Sequence, residues 1–307
     1  MRNPNENKKH LQLHGILLES GLRLQGEKIL IDASVKSIRF DVGMSRNAPN
    51  SAVWISRDPK MLILGFEPVQ QNRQGLYTNE GVDNWLTEIN LAKLPRLALE
   101  FLSHALNRLP FQISSEIRKI LRRHIDIQLP CKTIRKNVFV MGCALGSVWI
   151  PEGAKFYITE GDSGCSSLLE PIDFEVKTVE KVQVLTLAQF IESLPEECYQ
   201  YLDYLKIDAQ GSDLEILKGL GDHIKKFKCV TVECVSTKSA YKNETNQFLS
   251  VSNYLDSMGF KIFINSPLHS WKLSRKKIFL EVDDPTFLNT NWIEKNQRKP
   301  FWAYQRS

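Results

Sequence analysis

The sequence predicts an α/β fold built on a doubly wound, parallel sheet. Two observations support this class. Short β-rich runs alternate along the chain with stretches that have helical spacing, which is typical of βαβ units. Residues 61–66 form a continuous apolar run, as expected for a strand that is buried on both faces of a parallel sheet.

The predicted elements follow one another in a regular order. The first strand covers 37–43 and leads through a polar turn into the start of a helix near Ser45. Further strands are expected at 60–66, 138–141, 147–150, 155–158, 182–185, 204–208, 229–233, 260–265 and 277–282, and the last two are expected to pair. Helices are expected at 186–194, 212–220 and 246–258. Thr186 begins the first of them, and Gly221 and Gly259 end the other two.

The chain is expected to form one main domain. Residues 1–36 are a lead-in that contains a short helix or strand at 11–18, residues 37–290 form the domain, and residues 291–307 are a C-terminal tail. Residues 72–136 depart from the α/β pattern, because their leucines and isoleucines have helical spacing and prolines interrupt them. We therefore expect a helical insertion at 72–136.

Composition excludes several classes of protein. Hydrophobic residues make up 42% and charged residues 24%, which is ordinary for a globular protein and excludes collagen-like and disordered chains. The most apolar run is much shorter than the about 20 residues of a membrane-spanning helix, and the polar start does not resemble a signal peptide. Six cysteines without a CxxC pair indicate reduced thiols and a cytoplasmic protein.

The charge pattern disfavours a nucleic-acid partner. The net charge is +5, and residues 72–136, with 11 Lys or Arg and 6 Asp or Glu, account for it. Nucleic-acid binders more often have a denser basic stripe with interleaved aromatic residues. An anionic small substrate or an acidic partner surface also fits, and a solvated helical face fits best. Cys229 and Cys234 have no second Cys or His pair, so we expect no metal site.

Acidic residues or glycines follow four of the predicted strands. They lie in Asp41-Val-Gly43, Phe66-Glu67-Pro68, Ile207-Asp208-Ala-Gln-Gly211 and Val232-Glu233. Ligands of doubly wound sheets bind beyond the carboxyl ends of the strands, so we expect this edge to bind the ligand. Each motif alone also has a structural interpretation. Asp41 with Gly43 is common turn chemistry, Glu67 suits a solvated loop, and Asp208 is a candidate cap for the helix after it.

The spacing of Gly43 and Glu67 favours an adenosine-type cofactor. Gly43 allows the backbone to pass close to a bound ligand. Glu67 follows 24 residues later at the end of the second strand, where an acidic residue accepts hydrogen bonds from ribose hydroxyls. The same two residues also suit NAD, although the chain has no G-x-G-x-x-G motif.

Three passages of the chain match the motifs of one known enzyme family. They are Phe40-Asp-Val-Gly-Met-Ser45 with Gly65-Phe-Glu-Pro68, Asp203-Tyr-Leu-Lys-Ile-Asp-Ala-Gln-Gly-Ser-Asp213, and Val230-Thr-Val-Glu233 with Gly259-Phe260. On these passages the chain resembles the FkbM family of S-adenosylmethionine-dependent methyltransferases, whose motifs read F-D-V-G-A-N-x-G…E-P, K-I-D-V-E-G-x-E and V-x-V-E…G-F. The resemblance covers 37–68 and 137–262.

The resemblance implies a fold, a cofactor and a set of site residues. The fold is the Rossmann-like class I methyltransferase fold, with a seven-stranded, mostly parallel sheet, and the cofactor is S-adenosyl-L-methionine. Its methionine end would rest on the loop 41–47, Glu67 would hold the ribose, and the adenine would lie near 142–144. The cofactor-binding residues implied are Asp41, Gly43, Ser45, Asn47, Glu67, Cys143 and Ala144.

Asp208 is implied as the catalytic residue, because the end of the fourth strand faces the methyl group in this fold. A carboxylate there can orient or deprotonate an acceptor hydroxyl. Lys206 and Glu233 are weaker candidates, and a structural ion pair is the better interpretation of each. The chain departs from the family motifs at three positions, with Ser45 in place of Asn, Asn47 in place of Gly and Gln210 in place of Glu.

The sequence therefore leads to one main hypothesis and two alternatives. The main hypothesis is methyl transfer from S-adenosylmethionine to oxygen, with a small molecule or glycan as the acceptor and no membrane partner. The first alternative is a non-catalytic, methyltransferase-like binding module. The second is a nucleotide-binding oxidoreductase, which the missing glycine-rich motif disfavours.

Overall fold

The central element of the structure is a mixed sheet of seven strands. The computed structural model describes residues 4–46, 48, 50–51, 54–55, 58, 60–77, 137–161, 163–235, 239–263 and 285–292. In sheet order the strands are β11 (Phe260–Phe263), β12 (Thr286–Asn289), β10 (Cys229–Val232), β9 (Leu202–Ile207), β3 (Ile38–Val42), β4 (Leu62–Phe66) and β5 (Val138–Met141). The neighbours from β10 to β5 pair in parallel, and β12 is antiparallel to both of its neighbours.

The inner strands are buried on both faces, as their apolar sequences predict. Every residue of β3, β4, β9 and β10 is buried, which is typical of strands whose two faces are covered. Ile38, Phe40 and Val42 pack into the main hydrophobic core. The alternate residue Arg39 lies over the rings of Trp54 and Tyr204, because successive side chains of a strand point to opposite faces.

A buried ion pair joins β3 to β9. Ile38 pairs with Leu202 and Arg39 with Tyr204, so Asp203 is an extra residue on the β9 side. The Arg39 Nη2 atom lies 3.2 Å from Asp203 Oδ2, and both side chains are buried. Breaking such a pair would leave an uncompensated buried charge. The pair therefore helps to fix the register between β3 and β9, on which the geometry of the site depends.

A second sheet of three strands was not predicted as a unit. Its order is β6 (Ala144–Leu145), β8 (Val176–Leu185) and β7 (Ile150–Thr159), and β7 and β8 are antiparallel. The strand predicted at 147–150 is wrong, since β7 begins only at Ile150. The strand predicted at 182–185 is the end of a much longer one. The first six residues of β8 are exposed, so they lack the hydrophobic signal on which the prediction depended.

Five α-helices have both bounds within the described residues, close to their predicted positions where a prediction was made. They are α1 (Pro4–Glu19), α2 (Gln70–Tyr77), α3 (Leu187–Glu192), α4 (Asp213–Leu220) and α5 (Phe248–Ser257). The lead-in therefore forms a helix, the first of its two predicted possibilities, followed by the hairpin β1 (Leu24–Gln25) and β2 (Lys28–Ile29). Gly221 and Gly259 follow α4 and α5 with positive φ, as the predicted helix ends require.

Several predicted features lie outside the described residues. Of the helical insertion at 72–136, residues 72–77 lie in α2, and 78–136 are outside the described part. The strand predicted at 277–282 is also outside it, and the antiparallel strand that the structure describes near the C-terminus is β12. Within the described part of the chain, no helix is both long and apolar enough to span a bilayer.

Candidate functional site

A cavity of about 310 Å³ lies at the carboxyl ends of β3, β4, β5 and β9. Its volume is near the lower end of the about 300–1,000 Å³ of small-molecule pockets, so it suits a single ligand. Six of the eight residues predicted for the site line it, namely Gly43, Ser45, Glu67, Cys143, Ala144 and Asp208. Sequence motifs that are far apart in the chain are therefore brought together at the predicted sheet edge.

The other two predicted residues differ in their placement. Asp41 lies within β3 rather than after it, and it is buried behind the cavity, where its carboxylate accepts a hydrogen bond from Ser51. Burial raises the pKa of the Asp41 carboxyl, and the nearby Lys206 ammonium partly opposes this. Asn47 lies outside the described residues. The cofactor roles of both residues remain predictions.

Gly43 is needed for the contact between two chain segments. Its φ is +74°, and a Cβ atom added to it would lie 1.8 Å from the backbone oxygen of Asp208. The Asp208 N–H group donates to the carbonyl oxygen of Val42 at 3.1 Å, just before this contact. We expected the glycine to make room for a ligand. The structure shows that it makes room for the end of β9.

Glu67 is a buried residue whose carboxylate joins two loops. Its Oε2 atom accepts a hydrogen bond from the Ser45 N–H at 2.8 Å, and its Oε1 atom accepts from the Val69 N–H at 3.0 Å and from Asn72 Nδ2 at 3.3 Å. Only 4% of the residue is exposed, so a solvated loop position is excluded. Burial raises the pKa of this carboxyl, and the three hydrogen bonds oppose the rise. Of about four acceptor positions on a carboxylate, roughly one is left for a ligand.

The Asp208 side chain faces the cavity and is held by two donors. Its Oδ2 atom lies 3.1 Å from Lys206 Nζ, and its Oδ1 atom accepts from Gln210 Nε2 at 2.7 Å. The side chain is 32% exposed. Lys206 Nζ also donates to the Gly43 carbonyl oxygen at 3.1 Å and lies 3.8 Å from Asp41 Oδ1. These contacts give Lys206 the structural ion-pair role that the sequence favoured for it.

Asp213, which the sequence analysis did not single out, organises the turn after β9. Its Oδ1 atom accepts from the Ala209 N–H at 2.8 Å, and its Oδ2 atom accepts from the Gly211 N–H at 3.1 Å and from Asn246 Nδ2 at 3.0 Å. Asp213 therefore stabilises the turn between β9 and α4, next to the helix start for which Asp208 was the candidate cap. An acidic residue in the first turn of a helix was the available signal.

Asp213 is also fully buried. Burial raises the pKa of its carboxyl to about 7, and the charge of Asp208 adds to the rise, while the backbone N–H donors oppose it.

A polar loop closes one side of the cavity. Residues Ser163 to Ser166 line it, and the Ser163 hydroxyl donates to Asn72 Oδ1 at 2.8 Å. Because Asn72 also donates to Glu67, the loop is linked to the buried carboxylate. The sequence identified this loop only as a polar segment, and it gave no signal for Asn72. Within the described residues, no group of three or more His, Cys, Asp or Glu side chains is arranged to hold a metal ion.

The fold and the site together define an α/β protein with a ligand cavity beyond the carboxyl ends of its parallel strands. The family model described as Methyltransferase FkbM domain matches residues 41–262. The chain therefore belongs to the FkbM methyltransferase family, as the motifs predicted. Neither a curated protein nor a solved structure matches the chain.

Proposed function

We propose that this methyltransferase uses S-adenosyl-L-methionine and methylates a hydroxyl oxygen of a sugar or another small metabolite. The main support is the Asp208 carboxylate, which lines the cavity while Asp213 stabilises the turn before α4. A partly exposed carboxylate at a cavity wall is suited to a hydroxyl acceptor. The proposal includes the mostly parallel, doubly wound arrangement of class I methyltransferases. It also includes a cytoplasmic location, which the six scattered cysteines without a CxxC pair support.

The residues around the cavity fit an adenosine-containing cofactor. The remaining acceptor position of Glu67 suits one ribose hydroxyl, and the turn at Gly43 and Ser45 suits the methionine end. Cys143 and Ala144 are buried beside the apolar side chains of Leu145 and Phe156, which suits a purine ring. We expected Glu67 to bind both ribose hydroxyls, and its existing hydrogen bonds reduce this to about one.

Few residues of the chain take part in the proposed methyl transfer. When bound, S-adenosylmethionine supplies the methyl group. Asp208 accepts a hydrogen bond from the acceptor hydroxyl, orients it and takes its proton. General base catalysis of this kind accelerates a reaction about 10²–10⁴-fold. The Lys206 ammonium and the Gln210 amide hold the carboxylate in place during this step.

A labelling experiment tests the proposal. The purified protein is incubated with S-adenosylmethionine that has a tritiated methyl group, together with the small-metabolite and glycan fractions of a cell extract. We expect the label to appear as a methyl ether formed on a hydroxyl of the acceptor. Label in no product, although S-adenosylhomocysteine binds, would favour the binding module. Label on nitrogen would contradict the proposed acceptor.

A further inference from the structure

Gln210 connects four parts of the site. Its Nε2 atom donates to Asp208 Oδ1 at 2.7 Å and to Glu233 Oε2 at 2.9 Å. Its Oε1 atom lies 2.9 Å from the Tyr241 hydroxyl, whose single hydrogen is shared with the Cys165 carbonyl oxygen at 2.8 Å. Its backbone oxygen accepts from the Ser167 hydroxyl at 2.7 Å. These contacts join the ends of β9 and β10 to the polar loop that closes the cavity and to the segment around Tyr241.

The orientation of the Gln210 amide is determined by its partners. Both carboxylates are acceptors, so the NH₂ group must face them, and its two hydrogens serve one carboxylate each. The reversed amide would place its oxygen against two carboxylates and its NH₂ group against the Tyr241 hydroxyl. The backbone is fixed as well, since Gln210 has a φ of +52° directly before Gly211 at +95°, a conformation that ordinary residues seldom adopt.

We infer that Gln210 is a positioning residue for Asp208, because its amide ties the Asp208 carboxylate to Glu233 and so fixes the direction in which that carboxylate faces the cavity. The inference rests on the proposed function, in which Asp208 takes a proton from the acceptor. Among the described residues, each oxygen of Asp208 has one donor, Gln210 for Oδ1 and Lys206 for Oδ2. A second acceptor position on each oxygen is left for a hydroxyl in the cavity.

The amide also separates charges that would otherwise interact unfavourably. Asp208 and Glu233 both lie within hydrogen-bond distance of one nitrogen, so they are close neighbours of like charge. In the part of the chain that the structure describes, the charged and titratable groups that face Asp208 are Lys206 on β9, Asp41 on β3, Asp213 on α4, Glu233 after β10 and the Tyr241 phenol. Lys206 is the one cation in this set, so replacing the amide by a third carboxylate would favour protonation.

Carbon-13 NMR of protein labelled at the aspartate carboxyl carbon tests the inference without knowledge of the acceptor. The Asp208 signal is assigned from its loss in Asp208→Asn, and its titration is compared between wild type and Gln210→Glu. We expect the titration midpoint of Asp208 to rise by about one pH unit or more in the variant. Gln210→Met removes both donors without adding charge, so a smaller rise is expected there, and this variant serves if Gln210→Glu does not fold.

The matched control is Gln200→Glu, which adds the same charge at an exposed position, and we expect it to leave the midpoint unchanged. Coinciding titrations of Asp208 in wild type, Gln210→Glu and Gln210→Met would overturn the inference. In the labelling assay, the acid limb of the pH–rate profile should move with the midpoint while cofactor binding stays constant. If the titration midpoint of Asp208 shifts in the variants but the protein transfers no methyl group, the positioning role of Gln210 is supported and the proposed function is overturned. Failure of the inference and failure of the proposed function therefore give different results.

Discussion

At the scale of single residues, two buried carboxylates each accept backbone hydrogen bonds with both of their oxygens. Glu67 binds the N–H groups of Ser45 and Val69, one on each oxygen. Asp213 binds those of Ala209 and Gly211 in the same way. A side-chain amide has one acceptor oxygen and one NH₂ group. Gln or Asn at these positions therefore leaves one backbone N–H facing another donor.

We predict that Glu67→Gln lowers stability even without ligand. One buried backbone N–H loses its acceptor, which costs about 1–3 kcal/mol, and the thermal midpoint falls. The exposed Glu175→Gln variant is the control and keeps the wild-type midpoint. A residue that served only to bind the cofactor would leave the ligand-free midpoint unchanged, so an unchanged midpoint in Glu67→Gln would contradict the role of Glu67 in joining the two loops.

We predict opposite outcomes for two aspartates only five residues apart. Asp208→Asn keeps the fold and the binding of S-adenosylhomocysteine but loses most methyl transfer, because an amide cannot take the proton. Asp213→Asn lowers the free energy of unfolding by about 1–3 kcal/mol, because one N–H of the turn is left without an acceptor. Thermal unfolding and the labelling assay measure the two effects. Full activity in Asp208→Asn would remove that residue from the chemistry.

The residue types of the site were predictable from the sequence, and their partners were not. The motifs identified Gly43, Glu67 and Asp208, and all three line the cavity. The sequence did not show that N–H groups of the chain itself occupy most acceptor positions of Glu67, or that Asp213 holds the turn. Such contacts depend on how loops from separate strands meet, and that is a property of the tertiary structure.

At the scale of elements, the site depends on the contact between the ends of β3 and β9. The ion pair of Arg39 and Asp203 lies along these two strands, and Gly43 touches the backbone of Asp208 where they end. A side chain at position 43 would have to displace backbone atoms, because a real Cβ atom does not approach an oxygen to 1.8 Å. The close contact therefore fixes Asp208 relative to the first turn of the site.

We predict that Gly43→Ala is far more damaging than Gly26→Ala. Both glycines have positive φ, but nothing lies within 4 Å of a Cβ atom at Gly26. Gly26→Ala should cost about 1–2 kcal/mol, the ordinary cost of a left-handed alanine. Gly43→Ala adds the clash with Asp208, so its thermal midpoint should fall further and its binding of S-adenosylhomocysteine should be lost. Equal midpoints in the two variants would show that the contact is unimportant.

The elements differed in how well the sequence predicted them. Strands buried on both faces were found near their predicted positions, both β4 with its continuous apolar run and β9, in which apolar residues flank Asp203 and Lys206. The antiparallel pair of β7 and β8 was recognised only in part, because much of β8 is exposed and mixes valine with lysine and glutamate. Such a strand is stabilised by pairing with its neighbour rather than by burial, so periodicity gives it little signal.

At the scale of the whole molecule, burial of acidic groups affects the response to pH. Burial raises the pKa of the carboxyls of Asp41, Glu67 and Asp213. The folded protein then binds more protons than the unfolded chain, whose carboxyls titrate near pH 4. The free energy of unfolding should therefore fall as the pH rises from about 4 through the raised pKa values. For one carboxyl, the fall is at most about 1.4 kcal/mol per pH unit.

We predict that the stability difference between wild type and Asp213→Asn shrinks as the pH rises from 5 to 8. The variant has no ionising group at this position, so the difference isolates Asp213 from the other titrating groups. Wild type loses stability in this window because the pKa of Asp213 in the folded protein is about 7. Denaturant unfolding at several pH values measures the difference. A constant difference would show that the pKa of this carboxyl is not raised.

The number of strands in the main sheet was predicted correctly, whereas the limits of the domain and of the insertion are untested. A seven-stranded sheet with an antiparallel strand near the C-terminus was expected, and the described residues form one in which β12 is the antiparallel strand, while 277–282 lies outside them. The helical insertion and the domain limits stay predictions.

The central claim is that the cavity binds S-adenosylmethionine, and calorimetric titration with S-adenosylhomocysteine tests it most directly. We predict saturable binding at one site in wild type and in Asp208→Asn. Binding should be at least about tenfold weaker in Glu67→Gln, because a charge-assisted hydrogen bond contributes about 1.5–3 kcal/mol. NAD, titrated under the same conditions, should give no binding. Binding of NAD without S-adenosylhomocysteine, or of neither compound, would contradict the claim.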